Sequence, residues 1–247
     1  MEYKKVKPYQ IVSEIYAHLM HFIKYEEWAE YYYNITKDNL PDNARVLELA
    51  GGNAKLAVCM MEYFKDVITS DLSYNMLAQS TDNRLKRVCC NMEHLPFNGK
   101  FDLIFSAFDS INYLITKKSL SRTFQGVRCL LSDEGFFSFD VSLENNSINN
   151  VLFLNRKGIY KGINYEQKSV YDKEKRMHYN KFQFTLEDGS SYIETHKQKI
   201  FPIEVYFELL VTNGFIVKQC YDSFSLNDAS QDSQRVQFVA IKDKSNA

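Results

Sequence analysis

Two acids joined by one strand–turn–helix–strand unit carry the most chemical information in this chain. Glu48 sits near the end of the apolar run Val46 to Leu49 and is followed by Ala50-Gly51-Gly52-Asn53-Ala54. Asp71 follows the second apolar run, Val67 to Ser70. Small residues after a strand let the backbone approach a ligand. A carboxylate at the end of the next strand can accept hydrogen bonds from both hydroxyls of a ribose. The chemistry implied is the holding of an adenosyl group. The dinucleotide fingerprint G-x-G-x-x-G fits poorly: with Ala50 and Gly52 in its first two places, the last falls on Lys55.

These residues need a sheet to position them, and the flanking sequence supplies one. Strand patterns fall at 45–50, 66–70, 85–90, 101–107 and 134–141, and helical patterns at 54–64, 73–80 and 117–131. Strands alternating with helices imply parallel pairing with right-handed crossovers. Before them, 10–37 has helical spacing with no Gly or Pro, which predicts one helix ending before Leu40-Pro41-Asp42-Asn43. After Asp140 the rhythm changes. Glu144-Asn145-Asn146-Ser147 reads as a polar loop, and 156–200 reads as antiparallel strands with a turn at Glu187-Asp188-Gly189-Ser190. Helical spacing returns at 202–213 and two strands follow, near 215–222 and 235–242. The fold class expected is α/β: a Rossmann-like, seven-stranded, mostly parallel sheet with flanking helices, plus a small antiparallel β insert. The organisation is an N-terminal helical lid at 1–40, a core at 41–145 and 201–247, and a covering insert at 146–200.

Bulk properties narrow the function classes. Thirty basic against 31 acidic residues leave a net charge of −1, which argues against a broad nucleic-acid or anionic-membrane surface. No apolar run reaches the roughly 20 residues of a spanning helix. The N-terminus lacks the apolar core of a signal peptide. Cys59, Cys89, Cys90, Cys129 and Cys220 have no metal-ligand spacing and read as buried free thiols of a reducing cytosol. The expectation is a cytoplasmic protein with no metal, no nucleic acid and no membrane partner.

In this order the segments resemble the class I S-adenosylmethionine-dependent methyltransferases, and most closely the small-molecule, amino-sugar-type N-methyltransferases. The resemblance implies S-adenosyl-L-methionine as cofactor. Its first motif stands as Glu48-Leu49-Ala50-Gly51-Gly52-Asn53-Ala54, with Ala54 where the family has a third glycine. Either the alanine methyl costs room there or the backbone keeps ordinary φ values. The second stands as Thr69 to Leu77, with Asp71 on the ribose and Leu72 and Met76 flanking the adenine. The third stands as Cys90-Asn91-Met92-Glu93-His94-Leu95-Pro96-Phe97, with Asn91 taking the place of an Asp that faces the adenine amine. The fourth, Phe101 to Tyr113, includes Ala107, Phe108, Asp109, Asn112 and Tyr113 and lines the sulfonium and the acceptor in the family. Gly135 to Val141 matches the fifth strand. Tyr9 and Tyr16 resemble the family's lid, where a tyrosine lies beside the cofactor; a ring face near a sulfonium is a favourable cation–π contact.

The implied reaction is in-line methyl transfer to a small-molecule acceptor, nitrogen first and oxygen next. A sulfonium is already a good leaving group, so the protein mainly aligns the acceptor and excludes water. Candidate catalytic residues are Tyr16, Asp109, Asn112, Tyr113 and His196. A proton could leave to solvent, to Asp109 or to Glu194. The competing classes are a tRNA or protein methyltransferase, a nicotinamide-dependent oxidoreductase, and a non-enzymatic adenosyl-binding module. Composition leaves the acceptor and the oligomeric state open.

Overall fold

Alternate residues of each core strand serve opposite faces of one sheet, and that alternation organises the molecule. The structure, a computed structural model, describes residues 3–245. Strands β1 (Lys4–Val6), β2 (Arg45–Leu49), β3 (Asp66–Asp71), β4 (Lys86–Cys89), β5 (Phe101–Ser106) and β6 (Leu131–Ser142) are joined by helices α1 (Val12–Leu19), α2 (Tyr25–Asn34), α3 (Lys55–Met60), α4 (Tyr74–Leu77) and α5 (Lys117–Leu130). Then come α6 (Glu144–Phe153), β7 (Arg156–Tyr160), β8 (Ile163–Asp172), β9 (Met177–Thr185), β10 (Ser191–Lys199), α7 (Ile203–Thr212), β11 (Phe215–Asp222) and β12 (Arg235–Lys242). The large sheet has the order β11-β12-β6-β5-β2-β3-β4. The β4 to β6 side is parallel, and β12 runs antiparallel between β6 and β11. Leu47, Ile104, Phe137 and Phe139 face a core with Phe124 of α5 and Tyr206 and Leu210 of α7. Val46, Leu103, Phe105 and Phe136 face another with Trp28, Ala29 and Tyr32 of α2 and Leu56 and Met60 of α3. The chain moves outward through β2, β3 and β4 and then returns to β5 on the other side of β2. That reversal opens a crevice at the carboxyl ends of the strands, where ligands bind in such sheets.

A second sheet, ordered β1-β10-β9-β8-β7, forms the insert. Its hairpins are antiparallel as read from the sequence, but its edge strand is not: Lys4, Lys5 and Val6 pair in parallel with Tyr192, Ile193 and Glu194. Three residues, two of them lysines, leave no periodicity from which to read a strand.

Two expectations are corrected. The stretch 10–37 is not one helix: α1 ends at Leu19 and α2 begins at Tyr25. The reason lies in packing. Val12, Ile15 and Leu19 of α1 join Tyr165, Phe182 and Phe184 of the insert, whereas Tyr25, Trp28 and Tyr32 of α2 join the main sheet. One straight helix cannot serve two separate cores. The run from Glu144 is not a loop but α6, whose one buried residue is Ser147. With no apolar stripe to betray it, that helix is held by polar contacts: Tyr171 Oη donates to Glu144 Oε1 at 3.0 Å, and Arg176 Nη1 lies 3.4 Å from Glu144 Oε2.

The cysteine reading is also corrected. All five thiols are free, but Cys89 and Cys129 are exposed and the other three half-buried. Cys89 ends β4, an edge strand of the main sheet, and Cys90 follows it. No described helix is long and apolar enough to cross a membrane.

Candidate active site

The turn after β2 is shaped by two acids on opposite sides of it. Asp71 Oδ2 accepts from Gly52 N at 2.8 Å and Asp71 Oδ1 accepts from Ser73 N at 2.7 Å. Burial pushes the Asp71 carboxyl above the usual aspartate range, against the pull of the backbone amides. Each oxygen keeps a lone pair that these amides do not use. Ser73 caps α4 by accepting from Met76 N, which draws Met76 in beside the acid.

Glu48 lies beneath the same turn. It is 1 % exposed and accepts from Thr69 Oγ1 at 2.5 Å. Burial pushes its pKa up to about 7, with the Thr69 bond lowering it and Asp71 raising it. A carboxyl that stays protonated longer in the folded chain than in the unfolded one stabilises the fold at low pH. That contribution fades as pH rises from about 4.5 through about 7. Glu48→Gln, which cannot ionise, is therefore expected to remove a decline on the order of 3 kcal/mol or less between pH 5 and 8. Urea midpoints of both proteins at the two pH values check this; an equal decline in the variant contradicts it.

Left-handed backbone concentrates around this turn. Ala50, Gly52 and Ala54 have φ of 55°, 57° and 62°, and Tyr9, Phe108 and Asp109 are also left-handed, at 62°, 59° and 51°. Ala54 thus does not keep ordinary φ values: it takes the conformation for which glycine suits this position, and its methyl is fully buried. Ala54→Gly is expected to relieve about 1 kcal/mol of backbone strain, offset in part by the lost methyl. A urea midpoint clearly below wild type contradicts that balance.

A cavity of about 780 Å³ opens above the turn. Among the residues singled out from sequence, Tyr9, Tyr16, Ala50, Gly51, Gly52, Asn53, Asp71, Leu72, Met76, Asn91, Met92, Glu93, Phe108 and Tyr113 line it. Asn91 Oδ1 accepts from Glu93 N at 2.9 Å, which fixes its side chain. The Glu93 carboxylate is turned to Arg122, 3.1 Å away. Phe108 packs against Trp28 with ring centroids 4.2 Å apart and planes inclined at 44°, and Tyr25 meets Phe108 at 5.6 Å. Tyr25 lines the cavity too, and its hydroxyl has no partner among the described residues.

Five of the sequence candidates do not line this cavity. Glu48 is buried beneath Gly51, and Ala107 is buried in the turn before Phe108, its carbonyl accepting from Ser110 Oγ. Asn112 is fully buried: its Nδ2 donates to the carbonyls of Ser142 and Lys199, and its Oδ1 accepts from Ser142 N. It braces β6 against β10 and is not part of the cavity wall. Asp109 pairs with Arg235 Nη2 at 2.8 Å and accepts from Gln198 Nε2 at 2.7 Å, so its charge is already spent. Arg235 also binds Asp140. His196 is no solvated strand histidine: it is 3 % exposed and lies behind Tyr113, with which it shares a 3.0 Å hydrogen bond. Gln10, Leu56 and Ser110 line the cavity without having been singled out; nothing in their spacing marked them.

The fold is that of the class I methyltransferases. Residues 47–139 match the family described as a methyltransferase domain. The chain is an S-adenosylmethionine-dependent methyltransferase, and S-adenosyl-L-methionine is its cofactor. It is similar to the candidate methyltransferase YqeM of Bacillus subtilis (strain 168), 29% identical over 96% of this chain and 98% of that one. In fold it is similar to an S-adenosylmethionine-dependent methyltransferase from Clostridium acetobutylicum ATCC 824: TM-score 0.77, 22% identity, 95% and 98% of the two chains covered. It is also similar to the sugar N-methyltransferase KedS8 from Streptoalloteichus sp ATCC 53650: TM-score 0.74, 17% identity, 92% and 91% covered.

The residues present suit that cofactor. Asp71 offers lone pairs for two ribose hydroxyls. Leu72 and Met76 line the cavity with apolar surface that an adenine could pack on, and Tyr9 and Tyr16, edge to face at 6.1 Å, place rings in its wall that a sulfonium could face.

Proposed function

We propose that this methyltransferase acts on a small-molecule acceptor, at nitrogen in the first place and oxygen in the second. The observation that carries the reading is the roof of the cavity. Tyr9 and Tyr16 from the N-terminal segment join Tyr113 and Phe108 from the core in lining the cavity with aromatic rings, on the side where the cofactor's sulfur would lie. Such a wall suits a compact acceptor held against it, not an extended polymer. A solved relative in fold whose name specifies a sugar N-methyltransferase supports the same acceptor class. The net charge of −1 offers no general attraction to a phosphate backbone.

The cofactor, when bound, supplies an electrophilic methyl group and a neutral thioether leaving group. The chain supplies placement. Asp71 and the Gly52 turn fix the nucleoside end, while the aromatic wall excludes water and orients the acceptor lone pair along the S–CH3 bond. The test is calorimetric titration with S-adenosylhomocysteine, followed by mass-spectrometric assay of methyl transfer to a panel of amines, amino sugars and phenols. Transfer confined to tRNA or protein substrates contradicts the acceptor class. Failure to bind the demethylated cofactor contradicts the reading as a whole.

A further inference from the structure

A line of four hydrogen-bonded side chains runs from the cavity wall into the insert. Tyr9 Oη lies 2.8 Å from Tyr113 Oη, Tyr113 Oη lies 3.0 Å from His196 Nδ1, and His196 Nε2 lies 2.9 Å from Glu194 Oε1. Tyr9 and Tyr113 line the cavity; Glu194 is fully buried and His196 nearly so. Glu194 also accepts from the amides of Tyr9 at 2.5 Å, Ile11 at 2.8 Å and Val12 at 3.2 Å.

Those amides set the direction of the whole line. Both Glu194 oxygens already take amide hydrogens, so toward His196 the carboxylate is an acceptor and His196 Nε2 carries the proton. In the neutral ring Nδ1 then holds a lone pair, and Tyr113 must donate to it. Tyr113 Oη is thereby free to accept, and Tyr9 must donate to Tyr113. What the line presents to the cavity is a phenol oxygen whose own hydrogen is turned away. Its lone pairs await a donor on the ligand. Burial pushes both phenols above the ordinary tyrosine range, so neither rests as a phenolate.

We propose that Tyr9, Tyr113, His196 and Glu194 form a proton exit from the acceptor site, and that the site accordingly takes an acceptor bearing a removable N–H or O–H proton. The proposal rests on methyl transfer to a small molecule as set out above. In the step, the acceptor lone pair forms the bond to carbon while the S–CH3 electron pair stays on sulfur. The surplus acceptor proton passes to Tyr9 Oη, Tyr9 hands its own proton to Tyr113, and Tyr113 hands its proton to His196 Nδ1. The imidazolium so formed sits against the Glu194 carboxylate. The protons move together, so no phenolate is formed. The titratable groups bearing on this line are Asp109, Asp71 and Tyr16 at the tyrosine end, with Asp109 paired to Arg235, and Glu194 at the histidine end. The Phe182 and Tyr9 rings close the histidine's remaining sides, centroids 5.6 and 4.6 Å away.

Two measurements on the full chain test the proposal without a known acceptor. In the S-adenosylhomocysteine complex of protein carrying 15N-histidine, long-range 1H–15N spectra near neutral pH are expected to show His196 as the Nε2–H tautomer, with Nδ1 unprotonated. An Nδ1–H tautomer overturns the direction and with it the proposal. The second probe is sinefungin, a cofactor analogue with an amine on the carbon that replaces the sulfonium. That amine offers N–H donors where the methyl would be. Tyr113→Phe removes the acceptor that holds the Tyr9 hydrogen out of the cavity, so the Tyr9 oxygen is no longer fixed as an acceptor toward the ligand. The ratio of sinefungin to S-adenosylhomocysteine affinity is expected to fall by about tenfold, the size of one charge-assisted hydrogen bond. An unchanged ratio with S-adenosylhomocysteine still bound overturns the proton exit alone. Loss of S-adenosylhomocysteine binding by the wild-type chain overturns the underlying function.

Discussion

Asp71→Ala is expected to weaken S-adenosylhomocysteine binding by about 100-fold or more, because it removes two hydrogen bonds to an ionised group, each worth roughly 1.5–3 kcal/mol. The acid works in two directions. Its inner lone pairs already hold Gly52 N at 2.8 Å and Ser73 N at 2.7 Å, and its remaining ones are left for a ligand in the cavity that Asp71 lines. Alanine therefore loosens the turn as well as deleting the ribose contact. Asp71→Asn separates the two effects, since it retains an oxygen for one amide but gives up the charge. Calorimetry on all three proteins, with thermal unfolding as a check on folding, is the measurement. Unaltered affinity in the alanine variant would refute the role given to this carboxylate.

Gly51→Ala is expected to have the largest effect on folding of any substitution in the turn. A Cβ at that position would stand 2.1 Å from Glu48 Oε2 and 2.1 Å from Thr69 Oγ1. Both atoms belong to buried side chains that are bonded to each other, so neither can step aside without breaking the pair. Overpacking of this kind costs about 1–3 kcal/mol, and an orphaned buried polar partner adds about 1–3 kcal/mol more. The outcome anticipated is a protein that is largely unfolded or insoluble, read from urea midpoints and from solubility on expression. Gly52→Ala differs. Its Cβ would meet only Met76 Cε, at 3.1 Å, but at φ +57°. It should cost about 1–2 kcal/mol of strain and act mainly on cofactor affinity. A Gly51→Ala protein with a wild-type urea midpoint would show that the space beneath the turn is not what the glycine is for.

The main sheet was legible because its signals are local. Apolar runs such as Leu103 to Phe105 alternate with periodic helices such as Lys117–Leu130, and the acids at Glu48 and Asp71 stand at the ends of two of those runs. The cofactor side of the site comes from consecutive turns of that sheet, so short motifs could point to it. What was not legible depends on distant partners. Nothing near Lys4 to Val6 says that it pairs with Tyr192 to Glu194, and nothing near His196 says that Tyr113 will lie against it. Asn112 shows the converse. It stands inside a motif that lines the acceptor in the family, yet the carbonyls of Ser142 and Lys199 claim it for bracing. Gly51 and Gly52 look alike as letters; the Glu48 side chain beneath the first and the left-handed backbone of the second separate their tasks.

The amides of residues 9 to 12 have a practical consequence for anyone who regrafts this enzyme's specificity. Glu194 belongs to the insert, but the hydrogens that satisfy it come from the other end of the chain. A chimera that imports one piece without the other would strand a carboxylate in the interior without its three amide donors, leaving it His196 alone. The terminus and the insert therefore form a single exchangeable cassette, and shuffling across homologous scaffolds should cut on either side of both segments together.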